Sequence, residues 1–157
     1  MKKQDNSLVI TKVSDGNFEE FLGLIAKLAE YEKLSPPDEE AKKRLHADCL
    51  EGKQKYEAFL GEIGGICVSY VIYFFTYSSF LALPTLYVED IFVLEPYRRR
   101  GVGQKMFDNC KAIAKREGCG RIEFTVLPWN MSTQGFYEKN GANQIEWYLY
   151  RLAQEDF

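Results

Sequence analysis

Residues 85–118 constrain the fold of this chain more than any other stretch. Thr85 to Leu94 is dense in β-branched and aromatic residues and reads as a strand. Pro96 has no N–H to give to a ladder and stops it. Arg98 to Gly103 crosses a tight basic turn, and an amphipathic stretch starts at Gly101 and runs to Gly118. Strand, turn and helix in this order aim helix N-terminal N–H groups and the positive end of the macrodipole at the turn. An anion such as phosphate is favoured there. Gly101 and Gly103, two apart, let it approach the backbone with no Cβ in the way. A solvated arginine run ahead of a surface helix fits the same residues, and the turn alone does not separate the two readings. A Walker loop is excluded, because no Lys-Ser/Thr pair follows the last glycine, and the three-glycine dinucleotide fingerprint is absent.

The 157 residues suit one domain, 1–157, with a proper core. Formal net charge is −3, which argues against a general nucleic-acid binder and suits a cationic substrate. The longest apolar run, Ile66 to Tyr77, is too short for a membrane span and carries Ser69, Thr76 and three tyrosines. The start, Met1 to Asn6, has no apolar core behind it and is not expected to be a signal peptide. Cys49, Cys67, Cys110 and Cys119 form no Cys-x-x-Cys pair and read as small buried hydrophobes in a reducing compartment, so the cytoplasm is the expected setting. His46 is the one histidine. It reads as a surface residue, and no metal site is expected.

Taken in order, Leu8 to Val13 alternates as a first strand. Asn17 and Glu20 form a capping pair for a helix with apolar residues from Phe18 to Ala29, ending near Glu32 or Lys33 before Pro36-Pro37. Asp38 to Gly52 is a more polar helix with Leu45 and Cys49 on its apolar line. Tyr56 to Gly61 and Ile66 to Tyr77 are strands around a glycine-bearing turn, the second apolar enough to be central and covered on both faces. Ser78 to Pro84 is a loop. After the Gly101 helix, Gly118 is placed as a left-handed cap. Arg121 to Val126 is a strand, Ser132 to Lys139 a short helix, and Gln144 to Leu152 a last strand. The result is an α/β domain with a mixed sheet.

Arg98-x-x-Gly101-x-Gly103 after a hydrophobic strand resembles the acetyl-CoA pyrophosphate loop of the GNAT acetyltransferases. Asn130 to Ala142, with Phe136-Tyr137 and Gly141-Ala142, is similar to the family's second signature. Tyr73 to Tyr77, Glu89 to Val93 and Trp129-Asn130 resemble the spermidine/spermine acetyltransferase branch. The resemblance covers residues 25–152 and is loosest over 33–60. It implies a mostly antiparallel central sheet flanked by helices, acetyl-CoA as donor, and transfer of acetyl to an amine. By the same resemblance, Ile91, Phe92 and Val93 meet the pantetheine arm and thioester. Arg98, Arg99, Arg100, Gly101, Val102, Gly103 and Gln104 hold the pyrophosphate. Asn130, Phe136 and Tyr137 form the second cofactor site, with Tyr137 the candidate general acid. Glu89 matches the carboxylate assigned the base role, and Tyr31, Glu32, Glu89, Asp90 and Trp147 match substrate positions.

The residue types suit the chemistry. An alkyl ammonium with a pKa of about 10.4 must lose a proton before it attacks. Burial of Glu89 on its apolar strand would raise its pKa towards the working range, while its charge draws the ammonium in. Proton abstraction through water, or capture of the minor free amine, stays open beside direct transfer. A simple pleat would put Glu89 and Asp90 on opposite faces unless a bulge intervenes, which leaves Asp90 as a turn cap or an arginine partner. Tyr137 also reads as plain core, Asn130 as a helix cap and Glu32 as a solvated helix end.

The branch's acid after the Phe-Thr-Tyr run is replaced here by Ser78-Ser79-Phe80. Polyamine is the first acceptor implied, with thialysine or a lysine-like amino acid, and protein amino groups, as rivals. A CoA-binding sensor without turnover is the alternative of another class, and nucleic-acid binding through Arg98 to Arg100 is the weakest. The branch also implies a homodimer with Gln144 to Leu152 at its interface.

Overall fold

The structure, a computed structural model, describes residues 7–157; the stretch 1–6, read above as no signal peptide, lies outside the described residues. The chain divides into two compact units, one ending at Thr125 and one running from Val126 to Phe157. The first holds β1 (Leu8–Lys12), α1 (Phe18–Glu32), α2 (Glu39–Leu50), β2 (Glu57–Ile63), β3 (Ile66–Ser78), β4 (Leu83–Val93), α3 (Val102–Arg116) and β5 (Arg121–Phe124). The five strands form one sheet in chain order. All pairings are antiparallel except β4 with β5, where α3 makes the crossover that a parallel pair requires. The fold is therefore α/β with a mixed, mostly antiparallel sheet, as the sequence implied.

Period-2 alternation assigns the two faces. Ala58, Leu60, Tyr70, Ile72 and Phe92 pack with Phe18, Phe21, Leu24 and Cys49 of α1 and α2. Phe21 meets Tyr70 edge-on, the ring centroids 5.6 Å apart at an interplanar angle of 80°. On the other face, Val102, Met106, Cys110 and Ile113 of α3 are buried at the spacing read from the sequence. Gly118 adopts φ 67°, the left-handed conformation expected of it.

Several expectations are corrected. β3 is buried continuously from Val68 to Tyr73, but Phe75 to Tyr77 is exposed, so both faces are covered along its first half only. The expected loop from Ser78 to Pro84 shrinks to residues 79–82, because the Leu81 N–H donates to Ser78 Oγ (3.2 Å) and both strands continue to the turn. Pro84 is tolerated near the strand start, where its carbonyl accepts the Gly120 N–H at 2.9 Å. Asn17 does not pair with Glu20. Its side chain accepts from the Ser14 N–H (2.8 Å) and donates to the Lys12 carbonyl (3.2 Å), closing the turn before α1. Cys49 and Cys110 are buried, whereas Cys67 and Cys119 are only half-buried. His46 lies near the surface between Asp15 Oδ1 (2.7 Å) and Glu51 Oε1 (3.1 Å), whose charges and hydrogen bonds raise its pKa.

The second unit contains α4 (Met131–Lys139) and an extended C-terminal stretch. The expected strand from Gln144 to Leu152 is not formed: residues 144–152 carry no regular element, and their aromatic side chains are exposed. Alternation along Ile145, Trp147 and Leu149 meets the strand pattern, but a strand also needs a neighbouring edge to bond. No helix among the described residues is long and apolar enough to cross a membrane.

A close approach fixes Gly61 on β2. A Cβ there would run into Ser69 Oγ and stand 3.0 Å from Met106 Sδ and 3.1 Å from Leu8 Cδ1. Gly61→Ala is expected to cost about 1–3 kcal/mol by overpacking, read as a lower denaturant midpoint. An unchanged midpoint would show that the β2–α3 contact yields freely.

Candidate active site

The site begins with a register shift. Across β3 and β4, Tyr73 faces Val88 and Ile72 faces Asp90, so Glu89 has no residue opposite it. This is a β-bulge, and it bends the strand and re-aims the side chains around it. Asp90 lies across from Ile72, on the face covered by α1 and α2. A regular pleat would send Glu89 to the opposite face, yet both carboxylates line one cavity of about 420 Å³. Its apolar wall comes from Ile25, Pro37, Leu45, Ile72 and Phe74, with Tyr56 and Lys55 from the segment ahead of β2. The Tyr56 hydroxyl donates to the Leu45 carbonyl at 2.7 Å, tying that segment to α2.

Burial falls on the other carboxylate of the pair from the one anticipated. Glu89 is exposed at the bulge, and Asp90 is half-buried. Burial first, and then the neighbouring charge of Glu89, push the Asp90 carboxyl up to about 6, with a smaller push from Glu32. A hydrogen bond from the Tyr70 hydroxyl to Asp90 Oδ2 (3.2 Å) works the other way. Asp90 thus has a phenol as its partner rather than the turn or arginine expected. Burial also raises the Glu32 carboxyl at the end of α1. Glu32, Glu89 and Asp90 form one electrostatically coupled acidic group.

The turn after β4 takes the shape the glycines suggested. Arg99 has φ 59° and Gly101 φ 78°, and the Lys105 N–H is the one that closes back onto the Gly101 carbonyl (3.0 Å). The N–H groups of Val102 and Gly103 therefore stand ahead of the first helical hydrogen bond, in the position that suits a phosphate. The parallel ladder of β4 with β5 stops at Val88 and Phe124, while β4 runs on through Ile91, Phe92 and Val93. Arg98 is held by contacts within the protein. Its Nε donates to the Val93 carbonyl (2.8 Å), and its guanidinium lies over Tyr31 (4.8 Å) and Phe92 (5.5 Å). Arg100 lies 5.8 Å from the centre of the Tyr97 ring, and Gln104 Nε2 donates to Asp108 Oδ1 (2.9 Å).

Within the second unit, Asn130 Oδ1 accepts from the Thr133 N–H (3.2 Å) and caps α4, the structural role open to it from the sequence. Tyr137 is buried, with its ring 5.4 Å from that of Phe136. Trp147 is exposed on the C-terminal stretch. Lys55, Tyr56, Tyr70 and Phe74 were not singled out in the sequence. Tyr70 and Phe74 follow from the register of β3, whereas Lys55 and Tyr56 lie in the stretch where the family resemblance is loosest.

Comparison with known proteins agrees with this geometry. The family described as Acetyltransferase (GNAT) matches residues 24–142. Thialysine N-epsilon-acetyltransferase of Bos taurus is 31% identical over 160 residues, spanning 94% of each chain. Spermidine/spermine N(1)-acetyltransferase-like protein 1 of Homo sapiens is 28% identical over 152 residues, covering 90% of this chain and 22% of that one. The solved structure of AAC(6')-Iy with a bisubstrate analog, CoA-S-monomethyl-acetylneamine, superposes with a TM-score of 0.79 at 18% identity, over 94% of this chain and 99% of that one, a likeness of fold. The chain belongs to the GNAT acetyltransferase family. It is an N-acetyltransferase with acetyl-CoA as donor.

The Asp90 shift has a defined sign. A carboxyl raised in the folded state binds more protons there than in the unfolded chain, so stability falls as pH rises from the ordinary carboxylate range through about 6. Asp90→Asn removes that dependence and keeps an acceptor for Tyr70. Chemical unfolding is expected to show the variant gaining on the parent at about pH 7.5 and no gain at about pH 4. Equal gaps at both values would contradict the burial of this carboxyl.

Proposed function

We propose that the enzyme acetylates a primary amine of a small cationic molecule bound in the cavity below Glu89 and Asp90. The bulge that turns two adjacent carboxylates into one apolar cavity carries this reading. Ammonium binding offsets the repulsion within the acidic group, and the apolar walls take a methylene chain. A polyamine or diamine satisfies these carboxylates. A lysine-like amino acid is the second reading, favoured by Lys55 in the same lining and by the thialysine-acetylating relative.

Bound acetyl-CoA supplies the acetyl group as an activated thioester. In the proposed division of work, the turn from Arg99 to Gln104 and the free edge of Ile91 to Val93 hold that donor, and Arg98 braces the turn against Tyr31 and the end of β4. Glu89, open to solvent, draws in the ammonium and passes its proton to water. Asp90, with a carboxyl titrating at about 6, is tuned to share that proton near neutral pH. Tyr137 Oη is the proposed proton donor, Asn130 and Phe136 shape its helix, and Glu32 and Trp147 are proposed acceptor contacts. The proposed setting is the cytoplasm, which fits four cysteines carried as thiols.

Thiol release from acetyl-CoA with spermidine, spermine, putrescine, thialysine, lysine and short peptides tests the reading. Turnover is expected with the small amines, reduced about 100-fold or more in Tyr137→Phe and less in Glu89→Gln. The acid limb of kcat/KM near the Asp90 value should vanish in Asp90→Asn. Release with peptides alone would overturn the acceptor class, and no release despite acetyl-CoA binding would favour a sensor.

The homodimer implied by the branch is also proposed, with residues 144–152 as its interface. Trp147, Leu149 and Leu152 expose large apolar surfaces there, which supports this reading. Light scattering after size exclusion should give twice the chain mass of 18.2 kDa, and a monomer at working concentration would reject it.

A further inference from the structure

The structure assigns Lys55 as the residue that selects the acceptor: its ammonium receives the carboxylate of a basic amino acid whose distal amine lies at Glu89 and Asp90. This rests on reading the cavity as the acceptor site. The lining brings together two carboxylates from β4, apolar side chains from α1, α2 and β3, and one cation, Lys55. A cavity for a pure diamine has no use for an ammonium group in its wall, since it repels the substrate's second charge. A basic amino acid keeps a second ammonium at its α-carbon, but the carboxylate beside it neutralises that charge and can pair with the lysine, so its distal amine, short methylene chain and carboxylate match all three parts.

Spacing agrees with that match. Lys55 lies two residues ahead of β2, whose first residue, Glu57, pairs with Tyr73 opposite Val88, so it stands two strand spacings from β4, on the order of 10 Å across the sheet, and is offset along the strands from Glu89 and Asp90 by a few residues more. The stems of Lys55 and the carboxylates take up part of that span, and a chain of a few methylenes covers the rest. The Lys55 backbone is fixed, its N–H donating to the Asp48 carbonyl at 2.9 Å at the end of α2. Its side chain is free to exchange partners. It pairs with Asp48 Oδ1 at 2.8 Å, but the Lys55 side chain is 72% exposed, and such pairs contribute little. A substrate carboxylate replaces Asp48 by a small swing of the lysine.

Three pairs of acceptors differ only in the carboxylate: lysine and cadaverine, ornithine and putrescine, thialysine and bis(2-aminoethyl) sulfide. Steady-state thiol release with each, in the parent and in Lys55→Met, Lys55→Arg and Asp48→Asn, tests the assignment. The parent is expected to prefer the amino acid in each pair. Lys55→Met should raise KM for the amino acids about tenfold or more, with a smaller change in kcat, and lower KM for the diamines. Lys55→Arg should restore the preference, and Asp48→Asn, which releases Lys55, should sharpen it. An equal change for both members of a pair would make Lys55 merely structural and overturn the assignment, as would a parent that prefers the diamines. Those outcomes leave small-amine acetylation standing. Absence of thiol release with all six compounds would instead overturn the acceptor reading itself, and the assignment with it.

Discussion

The bulge at Glu89 is the constraint on which the rest of the site depends. It falls one residue after Val88, where the parallel ladder between β4 and β5 ends. Up to that point β4 is bonded on both sides and cannot absorb an extra residue without breaking two ladders. Beyond it, β3 alone holds the strand, and the extra residue costs one pairing. Bulge and divergence therefore coincide. One re-aims the carboxylates towards the α1 and α2 face, and the other frees the backbone edge of Ile91 to Val93. The cavity and the strand edge, the proposed acceptor and donor sites, follow from the same short segment.

The electrostatics of the cavity follow from that placement. Asp90 sits opposite Ile72 within an apolar wall, so its charge loses water on folding and gains only the Tyr70 hydroxyl in return. The adjacent Glu89 charge adds repulsion, and Glu32 adds more. Three carboxylates that feel one another, with Asp90 and Glu32 partly desolvated, leave a site unfavourable for the bare protein and favourable once a cation enters. The proposed binding and proton transfer would draw on one source, the charge that the fold concentrates below the bulge.

Arg98 carries contacts within the protein that its place in a basic turn does not by itself announce. In a basic turn before a helix an arginine suggests a phosphate, and the glycines beside it support that. Here the planar guanidinium lies over both Tyr31 and Phe92, whose ring centroids are 6.5 Å apart, while its Nε donates to the Val93 carbonyl. Arginine suits this because its charge is spread over a plane that lies on aromatic faces and still donates at its edge. The backbone N–H groups of the turn, the groups proposed to meet a phosphate, take their orientation from the positive φ of Arg99 and Gly101.

The sequence by itself determined the elements of the sheet, the two helix faces and the anion-suited turn, because each depends on local periodicity or on the backbone freedom of particular glycines. Leu8 to Lys12, the α3 stripe and Gly118 are cases in which neighbouring residues carry the whole signal. The sequence also held the two candidate carboxylates and left open whether a bulge would unite them. Tertiary structure decided that question, since register is a property of two strands and cannot be read along one. It likewise decided that Asp90 and not Glu89 is desolvated, and that Lys55, in the part of the chain least like the family, reaches the same cavity. It left residues 144–152 outside any ladder, because alternation supplies a strand's pattern but a partner edge supplies its bonds.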